Sequence, residues 1–262
     1  MNKTIVMQFT ALTFFISLIA WGICAVFGLF GFTIENAAWL WIFIAVCALS
    51  PTIVSYIVLK KNDMVKSLSE WAKNIFALKS PFRFYLLVVL LIVAYFLPSA
   101  IISGMGEAKP FYMFFVLLPA VLLGGGMEEA GWSYVLRPEL DKQFGFVLSS
   151  VIVGMIWTAW HIPVFLPQGR IASLSWFGLF SINCIGLSFA LGAIMKITKS
   201  VWLCVLFHTL NNAVSVTLYE DSDSPLAIIV ASSVLIVVSI TSVLLYKKKK
   251  LLTPDDKQKE VM

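Results

Sequence analysis

The sequence predicts an all-α fold, a polytopic transmembrane helical bundle of about eight spans. Of its 262 residues, 60% are hydrophobic and 13% are charged, and the mean hydropathy is +0.93. A soluble domain of this size could not bury so much apolar surface. Apolar runs of about 20 residues recur along the chain, which is the length that crosses the hydrocarbon core of a bilayer. The composition therefore indicates an integral, multi-pass membrane protein that has the lipid bilayer as a partner.

The apolar runs leave no room for a separate soluble domain. We place the spans at about 5–31, 37–59, 84–105, 111–135, 146–165, 174–195, 200–219 and 225–246. Residues 1–246 are therefore predicted to form one transmembrane domain, and residues 247–262 a basic cytoplasmic tail. The first run is too long for a signal-peptide core and is predicted to stay as the first helix. Between the second and third spans, segment 60–83 alternates apolar residues with lysines, which is typical of a helix lying on the membrane surface.

The positive charges fall on one side of the predicted membrane. The N-terminus, 60–83, 136–145, 196–199 and the tail hold 17 of the 19 lysines and arginines, whereas the opposite loops hold only Lys109 and Arg170. This asymmetry predicts an even number of spans with both termini cytoplasmic. The net charge of +5 thus reflects membrane topology, and we predict no nucleic-acid partner.

Few residues at membrane depth can carry chemistry. Of the 14 acidic residues, only the adjacent Glu128 and Glu129, which follow three glycines, lie inside a span. Ionisable groups there are costly and are candidates for function. The alternative is a structural ion pair or helix contact, which two mutually repelling carboxylates make less favourable. The four cysteines lie in apolar runs without a CxxC pair and are predicted to be reduced packing residues.

The only two histidines also lie in spans. His161 follows Trp157 in the fifth span, and His208 lies in the seventh, where it shares one helix face with Asn212 four residues later. A hairpin of spans four and five that turns near Phe144-Gly145 would put Glu128 and His161 each about 16 residues, roughly 24 Å, from the turn. The two side chains are therefore predicted to lie at the same height. His208 reaches that depth only if the hairpin protrudes by about 10 Å.

Such a set predicts hydrolysis of an amide bond inside the membrane. A carboxylate and an imidazole can hold and deprotonate a water, and a second histidine with an amide can donate to the oxyanion. Alternatively, Glu128, His161 and His208 could bind Zn²⁺ and leave a position open for water. The sequence has no HExxH motif, so the zinc hypothesis depends on convergence in space. Both routes stay open.

Three motifs resemble those of the CAAX-protease and bacteriocin-processing (CPBP, or Abi) family of intramembrane endopeptidases. The first motif, Glu-Glu-x-x-x-Arg, is similar to the run that begins at Glu128-Glu129. The second, an aromatic residue with a histidine four residues later, is similar to the run from Trp157 to His161. The third, His-x-x-x-Asn, is similar to the run from His208 to Asn212. They cover about 124–213, inside a CPBP-like core predicted at about 111–219. The resemblance implies that Glu128 activates water with help from His161, that His208 and Asn212 position the water or stabilise the oxyanion, and that Glu129 and Trp157 support them. It leaves a metalloprotease and a metal-independent glutamate mechanism equally open.

The chain departs from the first motif at one position. Ser133 stands where the motif has arginine, and Arg137 follows one helical turn later. Arg137 either replaces the missing cation by reaching back, or extends to the cytoplasmic interface as membrane arginines often do. If the motif arginine holds Glu129 or the substrate, its loss would change specificity or activity.

The leading functional hypothesis is an intramembrane endopeptidase that cleaves a membrane-associated peptide or protein, in peptide maturation or bacteriocin self-immunity in a bacterial cell membrane. The alternative is a catalytically degenerate immunity or scaffold protein of the same fold. A transporter with a proton relay would predict inverted repeats, which the sequence does not contain.

Overall fold

The computed structural model describes residues 1–104, 108–165, 174–218 and 224–252, and within these ranges the chain forms helices and no strand. The predicted all-helical bundle is thereby confirmed. The helices are α1 (Lys3–Leu29), α2 (Trp41–Ala48), α3 (Ser50–Lys61), α4 (Leu68–Ile75), α5 (Phe82–Ser103), α6 (Tyr112–Gly124), α7 (Glu129–Gly131), α8 (Arg137–Phe165), α9 (Leu174–Thr198), α10 (Val201–Leu218) and α11 (Pro225–Leu252). The four cysteines are buried and unpaired, as predicted.

The number of helices able to cross a membrane is smaller than the predicted eight. Six helical runs in the described ranges are long and apolar enough, or seven when the bent pair Ala38–Ala48 and Ser50–Lys61 counts as one span. The difference arises because the predicted spans 111–135 and 146–165 lie in one run of 52 residues, Tyr112–Pro163. A straight helix of that length would measure about 78 Å, more than twice the hydrocarbon core.

This long run folds back on itself at Gly145. The backbone there has φ 68° and ψ −178°, which no helix contains. Contacts join residues on either side of the turn: Asp141 accepts a hydrogen bond from Ser149, and the rings of Trp132 and Trp160 lie 5.8 Å apart. The predicted hairpin with its turn at Phe144-Gly145 is therefore confirmed, and its two legs are antiparallel.

The second predicted span is bent rather than continuous. Its two halves, Ala38–Ala48 and Ser50–Lys61, meet at an angle of 43°. Pro51 in the first turn of α3 explains the break, since proline cannot donate the hydrogen bond that would continue α2. The bend brings the start of α3 against the hairpin, where Thr52 donates a hydrogen bond of 2.7 Å to the carbonyl of Met127.

Both ends of the described chain lie at the end of the bundle that carries the Gly145 turn. The backbone N–H of Asn2 donates to Glu139 at 2.7 Å, and Val243 near the end of α11 packs in one cluster with Phe146 and Ile197. This arrangement agrees with an even number of crossings. Helix α11 continues to Leu252, and the rest of the predicted tail 247–262 lies outside the described residues. The cytoplasmic orientation of this end stays a prediction from charge.

The amphipathic segment 60–83 contains one short helix, α4, at the same end. Trp71 and Ile75 are buried, and the indole N–H of Trp71 donates to Ser55 at 3.0 Å. Leu68, Phe76 and Leu78 are exposed. The segment thus packs one apolar edge on the bundle and presents the other outward, as a helix at a membrane surface would.

Replacing Gly145 with alanine should destabilise the hairpin, because its backbone conformation is open almost only to glycine. The expected cost is about 1 to 3 kcal/mol, measured as a lower thermal midpoint of the detergent-solubilised protein. Gly178→Ala is the matched control, since an added Cβ meets nothing within 4 Å at either position but Gly178 lies inside a regular helix. Equal midpoints for the two variants would show that the turn does not depend on this glycine.

Candidate active site

The Glu128-Glu129 pair lies where the helical backbone is interrupted. Helix α6 ends at Gly124, and Gly125 departs from helical geometry with φ −145° and ψ −60°. A 3-10 turn (Gly126–Glu128), the single turn of α7 and a π-helical turn (Trp132–Leu136) follow before α8. The predicted span 111–135 is thus interrupted in its second half. Such π-helical turns are frequent at functional sites, because they change which face of the helix a side chain occupies.

The glycines let α10 approach this interrupted segment closely. A Cβ on Gly125 would lie 2.2 Å from Nδ2 of Asn212 and 3.4 Å from Nε2 of His208, and one on Gly126 would lie 2.1 Å from Oγ1 of Thr209. Only a residue without a side chain fits at these two positions. The polar face of α10 is thereby held directly against the backbone that precedes the two glutamates.

Glu128 is buried and is held by two tryptophans. Its Oε2 accepts hydrogen bonds from the indole N–H groups of Trp132 at 3.1 Å and Trp157 at 2.8 Å. Within the part of the chain that the structure describes, no residue donates to Oε1. One oxygen is therefore fixed in the interior, whereas the other is left to interact with a small molecule or substrate.

Glu129 is fully buried and contacts a serine and a histidine. Ser133 donates a short hydrogen bond to Oε2, and Nδ1 of His208 lies 2.9 Å from Oε1. A carboxylate can only accept, so Nδ1 of His208 carries the proton in this contact. The opposite ring nitrogen, Nε2, then faces Gly125 and Asn212.

His161 lies beside the same tryptophan that holds Glu128. Its Nδ1 donates to the backbone carbonyl of Trp157 at 2.9 Å, which leaves Nε2 as the ring's acceptor. The Trp157 ring neighbours both imidazoles, with centroids 5.7 Å from His161 and 5.2 Å from His208. The structure thus brings together Glu128, Glu129, His161, His208 and Asn212 around Trp157 and Gly125. The predicted common face of His208 and Asn212 and the common height of Glu128 and His161 agree with this arrangement.

Arg137 neither extends to the interface nor forms a hydrogen bond with Glu129. The side chain is 1% exposed, so it does not extend to the interface, and it forms no ion pair with a carboxylate among the described residues. Its guanidinium donates to Ser150 at 3.2 Å and to the carbonyl and hydroxyl of Ser188 at 2.8 and 2.7 Å. Gly192 leaves room for it, because a Cβ there would lie 2.5 Å from the guanidinium. Arg137 therefore fastens the hairpin to α9 and does not contact Glu129.

The zinc hypothesis requires several ligand side chains close together. Within the described ranges, no three histidine, cysteine, aspartate or glutamate side chains are grouped so that they could hold a metal ion. Glu128 uses one oxygen for two indoles, and each histidine uses one ring nitrogen for an oxygen partner, so each residue keeps a second ligand atom. Such hydrogen bonds also orient metal ligands, and Zn²⁺ binding therefore stays a prediction.

Several residues of the site are not identified by sequence motifs. Trp132 is four residues after Glu128, a spacing that could have suggested a contact on one helix face. No sequence pattern identifies Thr52 as part of the site, because it lies on α3, far from the motifs in sequence. It contacts the site by donating a hydrogen bond to the carbonyl of Met127. Ser133, expected only as a missing arginine, is a direct partner of Glu129.

Residues 110–214 match the protein family described as Type II CAAX prenyl endopeptidase Rce1-like. The match covers less than half of the 262 residues but includes all three motifs, from Glu128 to Asn212. No curated protein sequence matches the chain. The matched segment runs from α6 into α10 and includes the elements that carry Trp132, Trp157 and His208.

The three consecutive glycines allow a test of the contact with α10. Gly125→Ala and Gly126→Ala should displace Asn212 and Thr209, whereas Gly124→Ala is the matched control because an added Cβ meets nothing within 4 Å there. We expect the first two variants to lower the thermal midpoint of the purified protein and the control to leave it unchanged or raise it. Equal midpoints for all three variants would mean that α10 does not lie against this segment.

Proposed function

We propose that this multi-pass membrane protein is an intramembrane endopeptidase that uses a water activated by glutamate, as the match of residues 110–214 to the Rce1-like family of type II CAAX prenyl endopeptidases suggests. The observation that carries the proposal is the cluster of Glu128, Glu129, His161, His208 and Asn212 around Trp157. Its substrate is a membrane-associated peptide or protein, and its process is peptide maturation or bacteriocin self-immunity in a bacterial cell membrane.

Glu128 is the general base of the proposed reaction. Two indole N–H groups fix Oε2 and leave Oε1 to accept a proton from water. His161 offers Nε2 as a second acceptor for the same water, because its Nδ1 is occupied by the carbonyl of Trp157. The water oxygen attacks the carbonyl carbon of the scissile peptide, and its proton passes to Glu128.

His208 and Asn212 stabilise the oxyanion that this attack creates. The amide of Asn212 donates directly, and His208 donates from Nε2 when its ring carries both protons. Glu129, 2.9 Å from Nδ1, supplies the countercharge for that doubly protonated ring and fixes its orientation. When the carbon–nitrogen bond breaks, Glu128 returns its proton to the leaving amine. Every proton is thereby accounted for without a metal ion.

One observation favours the alternative of a catalytically degenerate immunity or scaffold protein. The motif arginine is absent, and the nearest arginine, Arg137, donates to serines instead of to Glu129. In that case the polar cluster would serve packing alone. The two proposals differ in whether conservative changes at the carboxylates abolish a product without loss of fold.

Glu128→Gln should abolish cleavage, because the amide keeps the shape of the side chain but cannot accept the water proton. The measurement compares peptide termini in membranes from cells that produce the wild-type protein or the variant, by terminal labelling and mass spectrometry. Glu35→Gln, at an exposed position, is the control for removing one carboxylate. If the same products appear with Glu128→Gln at an equal protein level, the general-base role is excluded.

Once a product is known, metal analysis of the purified protein separates the two mechanisms. The glutamate mechanism predicts full activity after chelation and less than one equivalent of Zn²⁺. Loss of activity on chelation, restored by Zn²⁺, would favour the metalloprotease mechanism.

Ser133→Ala should slow cleavage about 10- to 100-fold, the loss expected for one hydrogen bond to a charged group. Since Ser133 acts through Glu129 and His208, the pH profile of cleavage should also shift, which a purely structural role would not cause. Ser133→Thr should restore activity because it keeps the hydroxyl. Ser239→Ala is the control, since Ser239 is equally buried and its hydroxyl has no partner among the described residues. An unchanged rate and pH profile in Ser133→Ala would contradict this role.

A further inference from the structure

An open cleft of about 490 Å³ lies at the end of the bundle that carries the Gly145 turn. It is enclosed by residues of α1, α3, the α4 region, the hairpin and the junction of α9 with α10. Its inner wall is apolar and includes Leu59, Met64, Val135, Met195 and Val201. The cleft is separate from the cluster around Trp157, because none of the proposed catalytic residues lines it.

Three lysines from three separate elements line the cleft. Lys73 comes from α4, Lys142 from the hairpin turn, and Lys199 from the junction before α10. Lys142 pairs with Glu139 at 2.5 Å. Lys73 and Lys199 form no ion pair with any residue of the described ranges. Two positive charges are thus uncompensated in a largely apolar cleft.

We propose that this basic cleft binds an anionic phospholipid. Lys73 and Lys199 contact the headgroup phosphate, and the first part of an acyl chain lies along the apolar wall. Two observations favour a lipid over a soluble anion. The lining is largely apolar, and the cleft lies beside α4 and the residues that follow it, where the exposed Leu68, Phe76 and Leu78 suit the level of the lipid headgroups. Basic pockets between helices at this depth bind anionic headgroups in membrane proteins.

The π-helical turn (Trp132–Leu136) connects the cleft with the proposed active site. Tyr134 lines the cleft, and its hydroxyl accepts a hydrogen bond of 2.9 Å from the side chain of Asn74. Tyr134 directly follows Ser133, the hydrogen-bond partner of Glu129. Occupancy of the cleft would therefore steady the π-helical turn that presents Ser133. The binding itself does not depend on the proposed activity.

The test measures lipid selectivity of the full-length protein by native mass spectrometry. The protein is released from nanodiscs of equal parts phosphatidylglycerol and phosphatidylcholine, and the ratio of the two retained lipids is recorded. We expect phosphatidylglycerol to be enriched in the wild type, and Lys73→Gln or Lys199→Gln each to reduce the enrichment about fivefold. No enrichment in the wild type, or unchanged enrichment in both variants, would overturn the proposal.

Matched controls separate the cleft from the general charge of this end of the bundle. Lys247→Gln with Lys248→Gln removes two exposed lysines of α11 and should leave the enrichment unchanged, whereas Lys73→Gln with Lys199→Gln should abolish it. Lys73→Arg with Lys199→Arg should retain it and shows that the fold tolerates changes at both positions. An equal loss in the two glutamine pairs would mean that the charge of the surface, not the cleft, selects the lipid.

Competition distinguishes a lipid from other anions. Inorganic phosphate, or a short apolar peptide with a free C-terminal carboxylate, is added before release from the nanodiscs. Retention of phosphatidylglycerol against both competitors supports the proposal. Displacement by phosphate alone would indicate a soluble-anion site, and displacement by the peptide would indicate a substrate site, so either result overturns it.

Discussion

The burial of two adjacent carboxylates inside a membrane bundle is the constraint on which the rest of this structure depends. A charged or polar group in such a place is stable only when its hydrogen-bonding atoms find partners. Glu128 finds them in Trp132 and Trp157, and Glu129 in Ser133 and His208. All four donors come from side chains, two on the same helical segment and two on α8 and α10. The requirement to satisfy two carboxylates therefore fixes how the hairpin and α10 must meet.

That meeting requires an irregular backbone. A Cβ at position 125 or 126 would collide with side chains of α10, and glycine has no Cβ. The non-helical backbone at Gly125 then redirects the chain between α6 and α8. The carbonyl of Met127, freed by this break, accepts from Thr52 of α3. The bend at Pro51 brings Thr52 to that position. Two interrupted spans, α2–α3 and α6–α7, thus compensate each other, as irregular membrane backbone must when it is buried in protein.

The sequence predicted the features that follow from spacing along one chain. The hairpin turn at Gly145, the shared face of His208 and Asn212, and the matching positions of Glu128 and His161 on the two legs all depend on helical rise and apolar periodicity. It did not predict the break at Gly125 or the bend at Pro51. Proline and the three glycines mark both places as possible breaks, but the sequence does not show which partners compensate a break, because Thr52 and the α10 residues that meet it are distant along the chain. The hydrogen-bond partners of Arg137 were not predicted either, because nothing in the sequence distinguishes Ser150 and Ser188 from other serines.

The exchange at positions 133 and 137 changes the electrostatics of the site. An arginine at 133 would bring a permanent positive charge to Glu129, whereas serine brings only a neutral donor. Arg137, one helical turn after Ser133, is also buried, but its guanidinium donates to Ser188 on α9. It therefore stabilises the packing of the helices and does not bond to Glu129. His208 is then the only described side chain in contact with Glu129 that can become a cation. In the proposed reaction the oxyanion also requires that cation. The loss of the motif arginine therefore makes one imidazole serve both the carboxylate beneath it and the charge that develops on the substrate.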